Sequence, residues 1–160
     1  MKCIAAKRRD NRLLSTPCQL LHYSDPDRLG LRVRHTVAAR AAAQNWVRRH
    51  AAVGVSNPIA AAEIANRASL IAWELMDNAH QHSYSGAPDQ TLTLMLERSR
   101  YLLSITVTDA GPTPGCKKLS FPEQKSHGGG LGWVASLSFY WDWDGCAGLP
   151  VTVKARIELP

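Results

Sequence analysis

One stretch of sequence decides the fold of this chain: Trp73-Glu74-Leu75-Met76-Asp77-Asn78-Ala79-His80-Gln81-His82-Ser83. At about 100° per residue, a helix gathers the apolar residues of this stretch and of the preceding turns on one side. The residues on this side, predicted to face the core, are Ala68, Ala72, Leu75, Met76 and Ala79. Those on the opposite side, at spacings of i, i+3, i+4 and i+7, are Glu74, Asp77, Asn78 and Gln81. Taken alone, this pattern favours the solvated face of an amphipathic helix.

A chemical interpretation of the same polar side is also open. The carboxylate of Glu74 and the amide of Asn78 are one helical turn apart, so both can face one bound group. The carboxylate would then act as a base or hold a water molecule, and the amide would act as a metal ligand. Residues further along the chain are needed to choose between the two interpretations.

Length and composition indicate one globular domain with a tail. The chain has 160 residues, of which 45% are hydrophobic and 20% are charged, as is usual for a soluble domain. We expect a domain over residues 17–160, preceded by a basic, disordered tail over residues 1–16. No run approaches the roughly 18 apolar residues of a membrane-spanning helix. The first ten residues lack the apolar centre of a secretory signal, so we expect a cytoplasmic protein without membrane attachment.

Charge and cysteines narrow the classes of partner and site. Residues 1–50 hold eleven Lys or Arg against three Asp, and the remaining 110 residues hold eight against ten Asp or Glu. No nucleic-acid motif accompanies the basic front, so a solvated basic surface is favoured over direct nucleic-acid binding. The four cysteines form no CxxC pair, which indicates free thiols rather than a zinc site or a disulfide framework.

The order of predicted elements indicates an α+β fold. A strand at Cys18–Tyr23 would be followed by a long amphipathic helix from Asp27 to about Ala52, with Pro26 at its start. Asn57-Pro58 would open a second helix that ends at Ser83. The remaining predicted elements are strands at Thr91–Glu97 and Tyr101–Thr108, a loop over 115–127, a short helix over 128–137, and strands at about 139–143 and 151–159. We expect a two-layer α/β sandwich in which helices cover one face of a mixed, mostly antiparallel sheet.

Three features on these elements carry possible chemistry: the helix with Glu74 and Asn78, the turn Asp109-Ala110-Gly111 after a strand, and the glycines of 128–132. An Asp after a strand is commonly a turn residue, and a glycine cluster before a helix is commonly punctuation. Exposed amides at a helix start also suit phosphate. Their order along the chain, with a long loop between the last two, argues against coincidence.

This set of motifs resembles the GHKL superfamily of ATPases and kinases, and within it the anti-sigma regulatory factor kinases, which are serine/threonine-kinase-like. The family's N-box, Glu-Leu-x-x-Asn-Ala-x-x-His-Ser, is matched by the stretch from Glu74 to Ser83. Its Asp-x-Gly box is matched by Asp109-Ala110-Gly111, and its second glycine box by Gly128-Gly129-Gly130-Leu131-Gly132-Trp133-Val134. The resemblance spans about residues 18–159 and implies a Bergerat-type ATP-binding fold.

The resemblance also implies a role for each matched residue. Asn78 would coordinate Mg²⁺, and Glu74 would be the catalytic base or would orient the attacking hydroxyl. Asp109 would accept a hydrogen bond from the adenine amino group of ATP, and Gly111 would allow close approach to the base. The phosphate-binding segment implied by the second glycine box consists of Gly128, Gly130, Leu131 and Gly132.

The implied function is a regulator that transfers the γ-phosphate of ATP to a serine or threonine of an anti-anti-sigma (STAS) partner and sequesters a sigma factor. A homodimer is implied by the family alone. Two departures favour an alternative, a catalytically weak ATP-binding module: Gly129 replaces a common Arg, and Thr113-Pro114 replaces a second glycine after Asp109. In a third alternative the nucleotide site is empty and a basic helix over Arg28–Arg49 is the partner surface. We do not expect a complete histidine kinase, because none of the six His follows a dimerisation helix pair.

Overall fold

Six strands form one sheet in the computed structural model, which describes residues 16–87, 89–112, 130–146 and 148–160. The strands are β1 (Cys18–Leu21), β2 (Arg28–Arg34), β3 (Thr91–Arg98), β4 (Leu102–Thr108), β5 (Tyr140–Asp144) and β6 (Thr152–Glu158). The helices are α1 (Val37–His50), α2 (Pro58–His82) and α3 (Gly130–Leu137), and a 3₁₀ turn covers Tyr84–Gly86. None of the helices within the described residues is long and apolar enough to cross a membrane.

The sheet has the strand order β1-β2-β3-β4-β6-β5, and each pairing of neighbours is antiparallel. The register aligns one row of apolar residues across four strands: Leu31, Leu94, Val107 and Val153. This row is buried and belongs to the same core cluster as the buried residues of α1 and α2. The helices therefore cover one face of the sheet, which confirms the predicted α+β sandwich.

Helix α2 begins and ends where the sequence predicts. The side chain of Asn57 accepts hydrogen bonds from the amides of Ile59 and Ala60, and Pro58 occupies the first helical position. After His82, Ser83 adopts an extended backbone. The predicted core side is confirmed, because all five of its residues are buried: Ala68, Ala72, Leu75, Met76 and Ala79.

The predicted helix over Asp27–Ala52 is wrong in its first third. Residues 28–34 form strand β2, in which Leu31 and Val33 are buried and the alternating Arg32 is exposed. The spacing of Leu29, Val33 and Val37 fits a helix and a strand equally well, and the alanines that follow favoured the helix. Helix α1 instead begins after Thr36, whose hydroxyl accepts from the amide of Ala39 at 3.0 Å.

This correction also removes two dependent expectations. Pro26 does not start a helix, since the amide of Arg28 bonds the carbonyl of Asp25 at 3.2 Å in a turn. The third alternative, a partner surface on one basic helix over Arg28–Arg49, is overturned because that segment is a strand followed by a helix. Within β2, Gly30 leaves room for the ring of Tyr23, whose Cε2 would lie 2.8 Å from a Cβ at Gly30.

Candidate functional site

Three segments meet beside the last turns of α2. The amide of Tyr84, just after α2, donates to the carbonyl of Gly111 at 2.7 Å, which joins the helix end to the Asp109–Gly111 turn. On the other side, Gly130 at the start of α3 lies against the carboxylate of Glu74. The fold therefore brings together the described parts of all three motifs, which are far apart in sequence.

Glu74 and Gly130 lie in direct contact. A Cβ at Gly130 would lie closer than 3.0 Å to Oε2 of Glu74, so only glycine fits here without displacing the carboxylate. Partial burial, and secondarily the negative charge of Asp77, raise the pKa of the Glu74 carboxyl above its usual range. A carboxyl with a raised pKa beside a helix start is suited to proton transfer.

Asn78 is the second polar group on this side of α2. It is half-buried, one turn after Glu74. Within the described parts of the chain, its side chain makes no hydrogen bond, so its amide oxygen can accept a ligand. Glu74 and Asn78 together present oxygen donors, the type that Mg²⁺ prefers. No group of three or more His, Cys, Asp or Glu that could hold a metal occurs among the described residues, so a metal here would need oxygens from its ligand.

The neighbouring polar residues of α2 are occupied elsewhere. Asp77 forms an ion pair with Arg40 of α1, and the amide of Gln81 also donates to Asp77. The guanidinium of Arg40 lies over the ring of Trp73, 4.9 Å from its centroid. These contacts hold α1 against α2. Two of the four polar residues on this side, Asp77 and Gln81, therefore have a structural role.

Asp109 holds its turn together with one carboxylate oxygen. Its Oδ1 accepts from the amide of Gly111 at 2.7 Å and from the amide of Val151 at 2.8 Å. Gly111 has φ = +82°, which glycine adopts without strain, and a Cβ there would lie 3.3 Å from the backbone nitrogen of Pro150. Among the described residues Oδ2 of Asp109 has no partner, so this oxygen can accept a hydrogen bond from a ligand.

Ser85 is a site residue that the sequence reasoning missed. It is fully buried, and its hydroxyl accepts from the amide of Ala110 at 2.7 Å. It therefore fastens the middle of the Asp109–Gly111 turn to the segment after α2. A buried serine two positions beyond Ser83 carries no motif, and only its position between two distant segments reveals the role.

The remaining predicted residues are only partly described. Leu131 is half-buried and packs against the core, and a Cβ at Gly132 would meet no atom of the described residues within 4 Å. Gly128 lies outside the described residues, as do Gly129, Thr113-Pro114 and most of the tail over 1–16. The described half of the glycine box thus combines one closely packed glycine, Gly130, with one that faces open space.

A histidine pair lies on the opposite side of α2 from Asn78. His80 is buried, with 5% of the residue exposed, and its ring meets the ring of His35 edge to face, with centroids 4.7 Å apart. Burial, and then the positive charges of His35 and Arg40, lower the pKa of His80 to about 4, although Asp77 opposes the shift. His80 is therefore neutral at pH 7 and belongs to the packing around the site.

A sequence model of the histidine kinase-like ATPase domain matches residues 29–144. The chain belongs to this family. Its match contains the Glu74–Asn78 helix, the Asp109–Gly111 turn and the start of α3, which are the three segments that meet beside α2. The resemblance to GHKL proteins inferred from the motifs is therefore confirmed.

The fold of this ATPase-like domain is also found in a solved structure. A chain of the crystal structure of the SiaB-SiaC complex from Pseudomonas aeruginosa superposes with a TM-score of 0.51 at 11% sequence identity. The match covers 82% of this chain and 89% of that one, and at this identity it shows the fold alone. Among curated proteins, no sequence matches the chain.

Proposed function

We propose that this histidine kinase-like ATPase domain is an ATP-binding regulator of the anti-sigma kinase type. It would transfer the γ-phosphate of Mg²⁺-ATP to a serine or threonine of a STAS-type partner, and it would sequester a sigma factor in the cytoplasm, as a possible homodimer. The observation that carries the proposal is the contact between Glu74 and Gly130. It brings the carboxylate of Glu74 on α2 to the start of α3, and backbone amides at a helix start are suited to binding phosphate.

The residues present fit both ATP and Mg²⁺. We name as the adenine end the Asp109–Gly111 turn together with the Tyr84–Gly86 segment that holds it. There, Oδ2 of Asp109 would accept a hydrogen bond from the adenine amino group. We name as the phosphate end Glu74, Asn78 and the first turn of α3. There, phosphate oxygens would be bound by the amides of Gly130, Leu131 and Gly132, together with Gly128. Asn78 would hold Mg²⁺, which neutralises charge on the phosphates when bound.

Glu74 would receive the proton of the attacking hydroxyl or orient that hydroxyl. Its raised pKa lies closer to neutral pH than the pKa of an ordinary carboxyl does, and a general base is most effective when its pKa is near the working pH. Phosphoryl transfer depends mainly on positioning and on charge neutralisation, so one carboxylate and one metal-binding amide are a sufficient set. The solved structure with the same fold is a complex of two proteins, which supports a protein as the partner of this domain.

The second candidate is an ATP-binding module that acts only through protein contacts. It is favoured by Gly129, which stands where the family commonly has Arg and so removes one cation near the phosphates. A protein of this kind would bind ATP but would not transfer its phosphate. The two candidates therefore differ in one measurable step, the transfer of phosphate to a partner.

The experiment mixes the protein with Mg²⁺ and labelled ATP, measures affinity, and then adds STAS partners. We expect ATP binding and phosphate transfer from the natural sequence, and binding without transfer from Glu74→Ala. The matched control is Glu63→Ala, an exposed glutamate on the same helix. Absence of ATP binding would sink both candidates, and binding without transfer to any STAS partner would leave only the module.

A further inference from the structure

Helix α3 is a short helix that depends on support from its neighbours. It has eight residues, of which Gly130 and Gly132 are poor helix formers. Its one fully buried side chain is Val134, and Trp133 is exposed. Helices of this length are not stable alone in water. The position of its first turn, the phosphate end of the proposed site, must therefore be set by tertiary contacts.

Arg67 of α2 provides the contact at the far end of α3. Its Nε and Nη2 donate to the carbonyl oxygen of Leu137 at 3.2 and 2.9 Å. Leu137 is the last residue of α3, so its carbonyl has no partner within the helix. A guanidinium there also complements the negative end of the helix dipole. The exposed Glu63, one turn earlier on α2, lies 3.7 Å from Nη1 of Arg67, and an ion pair this exposed contributes little to holding the side chain.

The two contacts between the helices are spaced equally along both. Arg67 and Glu74 are seven residues apart on α2, and Leu137 and Gly130 are seven apart on α3. The helices run antiparallel, so α3 is held against one side of α2 at both ends. Because Leu137 is held in place at the far end, the length of α3 determines how close its first turn lies to Glu74.

We propose that Arg67 is a positioning residue that sets where the first turn of α3 lies against Glu74 and Asn78. It acts from about 10 Å away, the rise of seven helical residues. The inference rests on the proposed function, since it assigns to Arg67 the placement of the phosphate-binding amides. Without this anchor, the last turn of α3 frays and the first turn loses its fixed distance from the carboxylate.

The experiment compares the affinities of ATP and adenosine in Arg67→Met, Arg67→Lys and the natural sequence. We expect Arg67→Met to weaken ATP binding roughly tenfold, as small misplacements of positioning groups do, and to leave adenosine binding unchanged, because adenosine lacks phosphates. Arg67→Lys keeps the charge but not the paired donors, and should fall between the two. The matched control is Arg48→Met, which removes a contact between α1 and α2 at Ser69 and leaves α3 alone.

Hydrogen exchange of the α3 amides in the protein without nucleotide supplies a second measurement. Exchange at Val134 to Leu137 should become faster in Arg67→Met and remain unchanged in Arg48→Met. Equal losses of ATP and adenosine affinity, or unchanged exchange in α3, would overturn the inference. If the natural sequence binds neither ligand, the proposed function fails and the nucleotide part of the inference fails with it. The exchange data then still decide whether Arg67 anchors α3.

Discussion

The two ends of the proposed site are held by different kinds of contact. At the adenine end, every contact involves a backbone amide: the amide of Tyr84 donates to the carbonyl of Gly111, and Oδ1 of Asp109 accepts from the amides of Gly111 and Val151. At the phosphate end, Gly130 meets the tip of a flexible carboxylate, and Arg67 holds the far end of α3. The adenine end is thus formed before any ligand arrives, whereas the phosphate end can adjust.

This difference makes sense for phosphoryl transfer. An adenine ring that is recognised by a rigid turn is bound in one orientation, and a turn that is already ordered loses little conformational entropy when the ligand binds. Under the proposed function, the phosphate end would accommodate ATP and then the product, so side chains that can rotate would be useful there. Substitutions at the two ends should therefore differ in whether they cost folding stability or only function.

The largest effect on stability is expected for Gly86→Ala at the adenine end. A Cβ at Gly86 would collide with the backbone carbonyl oxygen of His80, which is part of α2 and cannot rotate away. Overpacking against a fixed backbone should lower the free energy of unfolding by about 3 kcal/mol. Urea unfolding measures it, with Gly132→Ala, where the Cβ meets open space, as the control. A loss below about 1 kcal/mol would show that this end is less rigid than we infer.

A smaller loss is expected for Ser85→Ala. The substitution removes the hydroxyl that accepts from the amide of Ala110, and an unsatisfied amide beside a buried residue costs about 1 to 2 kcal/mol. The control is Ser136→Ala, an exposed serine whose hydroxyl donates to the carbonyl of Trp133. We also expect faster hydrogen exchange at Ala110 and Gly111. Unchanged exchange there would mean that Asp109 alone holds the turn.

Features that depend on contacts between neighbouring residues could be predicted from the sequence, whereas features that depend on contacts between distant segments could not. Helix α2 could be predicted because its cap at Asn57-Pro58 and its apolar spacing are local signals. Glu74, Asn78 and Asp109 could be named as candidate site residues because they lie in motifs, and their roles remain predictions. Ser85 and Arg67 could not, since each acts on a segment far away in sequence. Strand β2 was missed because spacings of four residues fit both a helix and a strand.

At the phosphate end, Gly130→Ala should separate function from stability. The new methyl group would displace Oε2 of Glu74, but this atom is at the end of a side chain that can rotate. We expect a change of less than about 1 kcal/mol in the free energy of unfolding and roughly a hundredfold loss of phosphate transfer. Gly132→Ala is the stability control. A stability loss as large as that of Gly86→Ala would contradict the inferred difference between the two ends.

The smallest expected effect, and the most direct probe of the phosphate end, is the pH dependence of stability that Glu74 introduces. Because the folded protein raises the pKa of this carboxyl, Glu74 favours the folded state while it is protonated, at pH values below the pKa of the unfolded chain. That contribution is lost as the pH rises through the folded pKa. Glu74→Gln should therefore be more stable than the natural sequence at pH 7, and the difference should shrink toward pH 4. Urea unfolding at both pH values measures it, and the exposed Glu63→Gln provides the control. A Glu74→Gln protein that is less stable at pH 7 would mean that the carboxylate is stabilised by its surroundings, which is the opposite of a base held ready for proton transfer.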